Sequence, residues 1–194
     1  MKLNLTQEIM RNRGGWRRLT AIAVGMLGMS LVSIPAIAVR FSDGTVQFAG
    51  VPRLGKVTTT DNQAYAWGAT YLFTLQVPED ASEPLGRVVL RQEEGLDTVE
   101  FNLKRTDAYL NSDRTQTTAV ESSNPKPDTL ELTFTPPIPP GSTVTIGLRP
   151  YSNPRTGGVY LFGVTTAPAG EKVRDQFIGY GRLQFYDRSF WRSF

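Results

Sequence analysis

The residues with the chemistry to act on another molecule concentrate in residues 149–158, RPYSNPRTGG. Arg149, Tyr151, Asn153, Arg155 and Thr156 sit there beside Pro150 and Pro154. Arginine forks suit carboxylate or sugar oxygens, and prolines hold a loop in one shape on a β scaffold. The same letters also spell an ordinary turn: Asn153 bonds local backbone, Pro154 fixes φ, and Gly157-Gly158 reverses the chain through positive φ. A second group is Tyr65, Trp67 and Tyr71, whose flat faces could stack on sugar rings. Its structural alternative is that Trp67 plugs one end of the domain and Tyr71 is core. A third is Glu93, Glu94 and Asp97, whose carboxylates could ligate Ca²⁺, though their spacing departs from an EF-hand loop and a charged hairpin tip explains them.

What the chain lacks narrows its chemistry further. It has no His and no Cys. Thiol nucleophiles, Ser-His-Asp triads and the usual Zn, Cu or haem ligands are therefore excluded, and no cofactor is expected. A pair of carboxylates acting on a glycan stays open as an enzymatic alternative, with no spacing in its favour.

These candidates need strands to position them. Leu130, Leu132 and Phe134 alternate with polar residues, as do Val144, Ile146 and Leu148 with Thr143, Thr145 and Gly147. Period-two patterns of this kind predict strands with one buried face and one solvated face. Residues 71–77, 85–92, 98–103, 159–165 and 177–186 read as further strands, 54–60 as an edge strand, and 39–48 as an opening hairpin around Asp43-Gly44. A strand is also expected at 117–121. Pro136, Pro137, Pro139 and Pro140 are expected between strands, because proline donates no ladder hydrogen bond, and residues 122–128 are expected to form a loop. Eight to ten short strands without a 3.6-residue period predict an all-β fold: an antiparallel β-sandwich, immunoglobulin-like in general architecture, with a small closed β-barrel as the alternative.

Residues 1–38 read as a cleaved signal peptide. Arg11, Arg13, Arg17 and Arg18 precede an uncharged stretch at 19–34, and Ala36-Ile37-Ala38 is a small-x-small cleavage site. The stretch is shorter than a membrane span requires, so no integral span is expected after processing. The whole chain carries 21 basic and 18 acidic residues. Removing Lys2, the four arginines and Glu8 leaves 16 and 17, a net charge of −1. A net acidic product offers nothing to nucleic acid. The expected layout is a single domain at 39–186 and an aromatic tail at 187–194, which packs back on the domain or on a partner.

The stretches FSDGTVQF, WGATYLFTL, PPIPPGSTVTIGLRPYSNPRTGGVYLFGV and GYGRLQFYD, behind a signal peptide, resemble a cyanobacterial family of exported proteins, the domain of unknown function 2808. The resemblance covers essentially all of residues 39–194. It implies a periplasmic, envelope or extracellular location in a photosynthetic bacterium, and it brings no catalytic residues. The expected role is a non-catalytic envelope or extracellular protein that binds envelope polysaccharide or an envelope protein. The rivals are a carboxylate-dependent enzyme on glycans and an assembly factor without a small ligand.

Overall fold

The structure is a computed structural model that describes residues 39–40, 43–111 and 113–187. The expected signal peptide and residues 188–194 of the aromatic tail lie outside the described residues.

Eleven strands are described: β1 (Val39–Arg40), β2 (Val46–Gln47), β3 (Arg53–Thr59), β4 (Tyr71–Gln76), β5 (Leu85–Glu94), β6 (Asp107–Leu110), β7 (Thr117–Lys126), β8 (Thr129–Ile138), β9 (Thr143–Leu148), β10 (Gly158–Pro168) and β11 (Gln176–Phe185). β1 and β2 form the opening hairpin, where the Asp43 carboxylate accepts the Thr45 amide. The other nine make one sheet in the order β11-β10-β5-β8-β7-β6-β9-β4-β3, and every pairing between them is antiparallel.

The sheet folds over on itself at β7. The start of β7 pairs with β6 at Ala108↔Thr118, and the rest pairs with β8. One layer is then β3-β4-β9-β6 and the other β8-β5-β10-β11. At the far side the edge strands β3 and β11 meet without ladder hydrogen bonds, where a Cβ on Gly181 of β11 would come within 3.2 Å of the Val57 side chain of β3. The expected antiparallel sandwich is correct, and it is rolled nearly to the closed-barrel alternative.

The alternating side chains fill the space between the layers. Tyr71, Phe73 and Leu75 of β4 meet Leu130, Leu132 and Phe134 of β8, Tyr160, Phe162 and Val164 of β10, and Leu183 and Phe185 of β11, all buried. Phe162 stands edge-on to Phe73 at 5.9 Å, a favoured aromatic geometry.

Four expectations are corrected. Residues 98–103 are not a strand: only Phe101 bridges to Pro150, and the turn of 3-10 helix Leu103–Arg105 follows. Gln92 holds this segment instead, donating to the Asp97 carbonyl and accepting the Val99 amide. The expected loop at 122–128 is largely strand, since β7 runs on through Pro125 to Lys126. Pro136 and Pro137 lie within β8, where the pairing jumps from Arg87↔Thr133 to Leu85↔Ile138 and leaves them in a bulge that needs no donor. Thr145 is buried rather than solvated, because β9 is an interior strand between β4 and β6 and its hydroxyl lies 3.2 Å from that of Thr74.

Burial on both faces of β9 has a measurable consequence. Ile146→Ala should cost about 2–5 kcal/mol through lost contacts and a cavity. Thr145→Ala should cost about 1–2 kcal/mol, because it removes a buried hydroxyl and orphans its partner. Urea unfolding of both variants checks this; a Thr145→Ala cost below about 0.5 kcal/mol, the level of an exposed substitution, would mean that the outer face of β9 is solvated.

Candidate functional site

Three connections and the end of β11 meet at one end of the sandwich. The β3–β4 connection brings Tyr65 and Trp67, the β5–β6 connection brings Leu96, Asp97 and Glu100, and the β9–β10 connection brings Tyr151, Asn153 and Arg155. Backbone hydrogen bonds join them: Tyr65 N–H to the Pro154 carbonyl, Asn153 N–H to Ala66, Tyr151 N–H to Glu100, and Asn102 N–H to Arg149. The Tyr186 amide and carbonyl bind Asn62 and Ala64. Of the first two candidate groups, Arg149, Tyr151, Asn153, Arg155, Tyr65 and Trp67 therefore do share one end.

Their roles divide. Asn153 is only 1% exposed. Its Oδ1 accepts the Tyr71 hydroxyl at 3.0 Å, and its Nδ2 donates to the Asp61 and Gln63 carbonyls at 2.9 Å each. It is a structural tie, reaching across to the β3–β4 connection rather than to its own turn. Arg149 is also committed. It pairs with Asp107 at 2.8 Å and donates to the Arg105 carbonyl. Gly147 makes room for that pair, since a Cβ there would collide with the Asp107 carboxylate. Arg155 is exposed at the tip.

Trp67 does not plug the end. It is 84% exposed, and Tyr65 beside it is also exposed. The inward positions of this connection are taken by Ala64 and Ala66, both buried. Tyr65 adopts φ 60°, and the Asp61 carboxylate accepts the Gln63 amide to start the turn. Tyr71, by contrast, is core, against Phe101 at 5.7 Å and Phe185 at 5.5 Å. Burial pushes its hydroxyl's pKa far above the ordinary tyrosine value.

Leu96 is 80% exposed, and sequence reasoning missed it. With Tyr151, Pro154, Arg155, Asp97 and Glu100 it lines an open groove of about 420 Å³. The only signal for it was an apolar residue between Gly95 and Asp97, where a turn needs none. The acids of the third candidate group do not converge. Glu93 is forked onto Arg91, whereas Asp97 accepts the Thr156 amide at 2.8 Å and the Tyr160 hydroxyl. The described residues hold no cluster of three or more possible metal ligands. The Thr156 amide holds the Asp97 carboxyl below the usual range, while burial, followed by the Asp97 charge, raises the Tyr160 hydroxyl. Gly157 belongs to the same closure: its amide donates to the Asp187 carboxylate, and a Cβ on it would meet the Asp187 backbone at 2.8 Å.

The sequence matches the family described as "Protein of unknown function (DUF2808)" over residues 45–185. No curated protein matches it. Solved structures with a similar fold include BslA, a bacterial hydrophobin, at 14% identity over 72% of this chain and 97% of that one, TM-score 0.41. A collagen-binding domain from a Staphylococcus aureus adhesin matches at 6% identity over 71% and 99%, TM-score 0.40. A cohesin module from a Clostridium perfringens family 33 glycoside hydrolase matches at 10% identity over 73% and 97%, TM-score 0.35. Likeness at this level carries no argument about function.

Two outcomes test this account of the site. Asn153→Ala should destabilise by roughly 2 kcal/mol, because it strands the buried Tyr71 hydroxyl and takes one of two donors from each of the Asp61 and Gln63 carbonyls, which keep the Thr59 hydroxyl and the Ala66 amide. Tyr71→Phe should cost about 1 kcal/mol, and the double variant should cost less than the sum. Additive costs in urea unfolding would remove the tie. Asp97 supplies the pH dependence. Its folded pKa is depressed, so its ionised form contributes stability above its unfolded value near 3.8, and that contribution is lost as pH falls through the folded value. The melting temperature of Asp97→Asn should fall below wild type at pH 7, and the gap should close in acid as Asp97 is protonated. A gap equal at both ends of the range would refute the linkage.

Proposed function

We propose that this chain, which belongs to the family described as protein of unknown function (DUF2808), is an exported, non-catalytic domain that docks a protein of the cell envelope at the loop end of its sandwich. The observation that carries this is the inverted partition of the β3–β4 connection. In the run Ala64-Tyr65-Ala66-Trp67 the small residues are buried and the large aromatics stand in water. A folded domain gains by burying a Trp, so a held and exposed Trp is a contact surface in waiting. Leu96, Tyr151 and Arg155 on the neighbouring connections complete a set rich in the residues that dominate protein interfaces. Leu96 favours a protein over a sugar, because an aliphatic side chain offers no flat face to a pyranose.

The non-catalytic reading is supported by the commitment of Asp97, one of the two acids in the groove. Asp97 is spent on Thr156 and Tyr160, and its depressed pKa makes it a poor general acid. Export rests on the signal-peptide pattern of residues 1–38, and the cyanobacterial envelope as its setting rests on the resemblance.

Retention of the protein on isolated cyanobacterial envelopes tests the proposal. Trp67→Ala and Leu96→Ser should each weaken retention by about tenfold or more with an unchanged melting temperature. Protease treatment of the envelopes should abolish it, and the protein recovered from the host should have the mass of residues 39–194. Retention that survives the protease, or that ignores both substitutions, would refute the docking role. A recovered mass that includes residues 1–38 would refute processing.

A further inference from the structure

Away from the loop end, the outer face of β5, β10 and β11 carries a trough of about 420 Å³. One bulge and one glycine shape it. β11 pairs with β10 at Val164↔Gly179 and then at Thr165↔Phe177, so Ile178 is an extra residue. Ile178 packs inward against the core, and Gly179 takes φ 129°. The alternation of the strand flips there. Phe177 and Tyr180 are three residues apart, and regular alternation would send them to opposite faces. The bulge puts both on the outer face, 55% and 58% exposed, with their rings 5.0 Å apart and edge to face.

Gly163 is the floor of the trough. It is the Cα partner of Tyr180 on one side and of Arg91 on the other. A Cβ there would lie 3.0 Å from Oε1 of Glu93 and 3.5 Å from the Phe177 ring, so any side chain would fill the space between the aromatic and polar walls. The polar wall is fixed: Arg91 donates to both carboxylate oxygens of Glu93 at 2.8 Å. Such a bidentate pair holds its remaining donors and lone pairs in set directions.

The lining selects a class of ligand. Both signs of charge are present, and each is answered within the protein, Glu93 by Arg91 and Asp175 by Arg87 at 2.5 Å. A phosphate or other polyanion finds no unpaired cation, and a cationic ligand no unpaired acid. Two rings facing fixed donors and acceptors suit a molecule with one flat apolar face and a rim of hydroxyls, which describes a pyranose. Arg87 also pairs with Glu131, and beyond it lies a further hollow of about 470 Å³ lined by Glu131, Thr133, Pro168 and Glu171. From Gly86 to Glu93, β5 spans about 23 Å at ~3.3 Å per residue, more than one sugar ring. We infer that this trough binds a neutral oligosaccharide, its rings stacked on Phe177 and Tyr180 and its hydroxyls bonded to Arg91 and Glu93. The site is separate from the loop end and independent of the docking reading.

Calorimetric titration of the purified protein with neutral hexasaccharides of β-1,4-glucan, β-1,4-mannan and α-1,4-glucan tests the inference. At least one should bind. Phe177→Ala and Tyr180→Ala should each weaken it about tenfold or more, and both variants should fold, since the rings they remove are already half in water. Gly163→Val should abolish binding, whereas Trp67→Ala should bind as wild type does. Should Gly163→Val fail to fold, the two aromatic variants decide alone. The proposal is overturned if no hexasaccharide binds, if Phe177→Ala and Tyr180→Ala bind undiminished, or if Trp67→Ala is the variant that loses binding. It is equally overturned if wild type binds no saccharide but sediments as a dimer that Tyr180→Ala dissociates, which would make the face a self-association surface.

Discussion

The side-chain amide of Asn153 satisfies its hydrogen bonds inside the protein, in a place where water cannot substitute. Above it the Asp61 and Gln63 carbonyls are drawn down onto Nδ2, and below it the Tyr71 hydroxyl is pinned to Oδ1. That hydroxyl rises from the centre of the aromatic core, so a polar atom in the most apolar part of the molecule has its partner assured. Because both connections are fastened to one atom group, the β3–β4 loop has little freedom in where it lies. Ala64 and Ala66 then fall inward, and their large neighbours have nowhere to go but out. The exposure of Trp67 is thus a consequence of hydrogen bonding beneath it.

Much of this architecture was legible in the order of residues. Tyr71, Phe73 and Leu75, or Leu130, Leu132 and Phe134, announce their strands because a period of two records which side meets the core. The same logic misleads at Val99 and Phe101. Both do reach the core, but through a segment held by the Gln92 side chain instead of a ladder. β6 is hidden in the sequence because only Ala108 and the partly buried Leu110 face inward there, too little apolar content to mark a strand. Prolines at 125, 136 and 137 look like breaks in the sequence, and the sheet accepts them because bulged positions ask for no donor.

The candidate site was less legible. The loop residues were found, but the division between those that hold and those that face outward was not. Asn153 and Tyr71 are 82 residues apart, and no local pattern says that they meet. Arg149 looked free because its partners, Asp107 and the Arg105 carbonyl, lie on the other side of a connection. The trough on β10 and β11 turns on a single inserted residue, which exchanges the faces of everything before it. Gly179 was the one visible sign, since glycine inside a strand marks bulges.

The unzipped edges of β3 and β11 give the molecule an asymmetry that its strand list conceals. On one flank the two layers are stitched through β7 by ladders, while on the other β3 and β11 share no ladder and meet through side chains such as Val57 and Leu54 against glycine backbone, with backbone hydrogen bonds at the Tyr186 end alone. Hydrogen bonds break when stretched, whereas apolar contacts slide. The sandwich is bound like a book, with β7 as its spine and β3 and β11 as its fore-edge. Phe177 and Tyr180 ride on the cover that ends in β11, so a load there meets apolar contacts and the two Tyr186 backbone hydrogen bonds on the fore-edge rather than a ladder between β3 and β11.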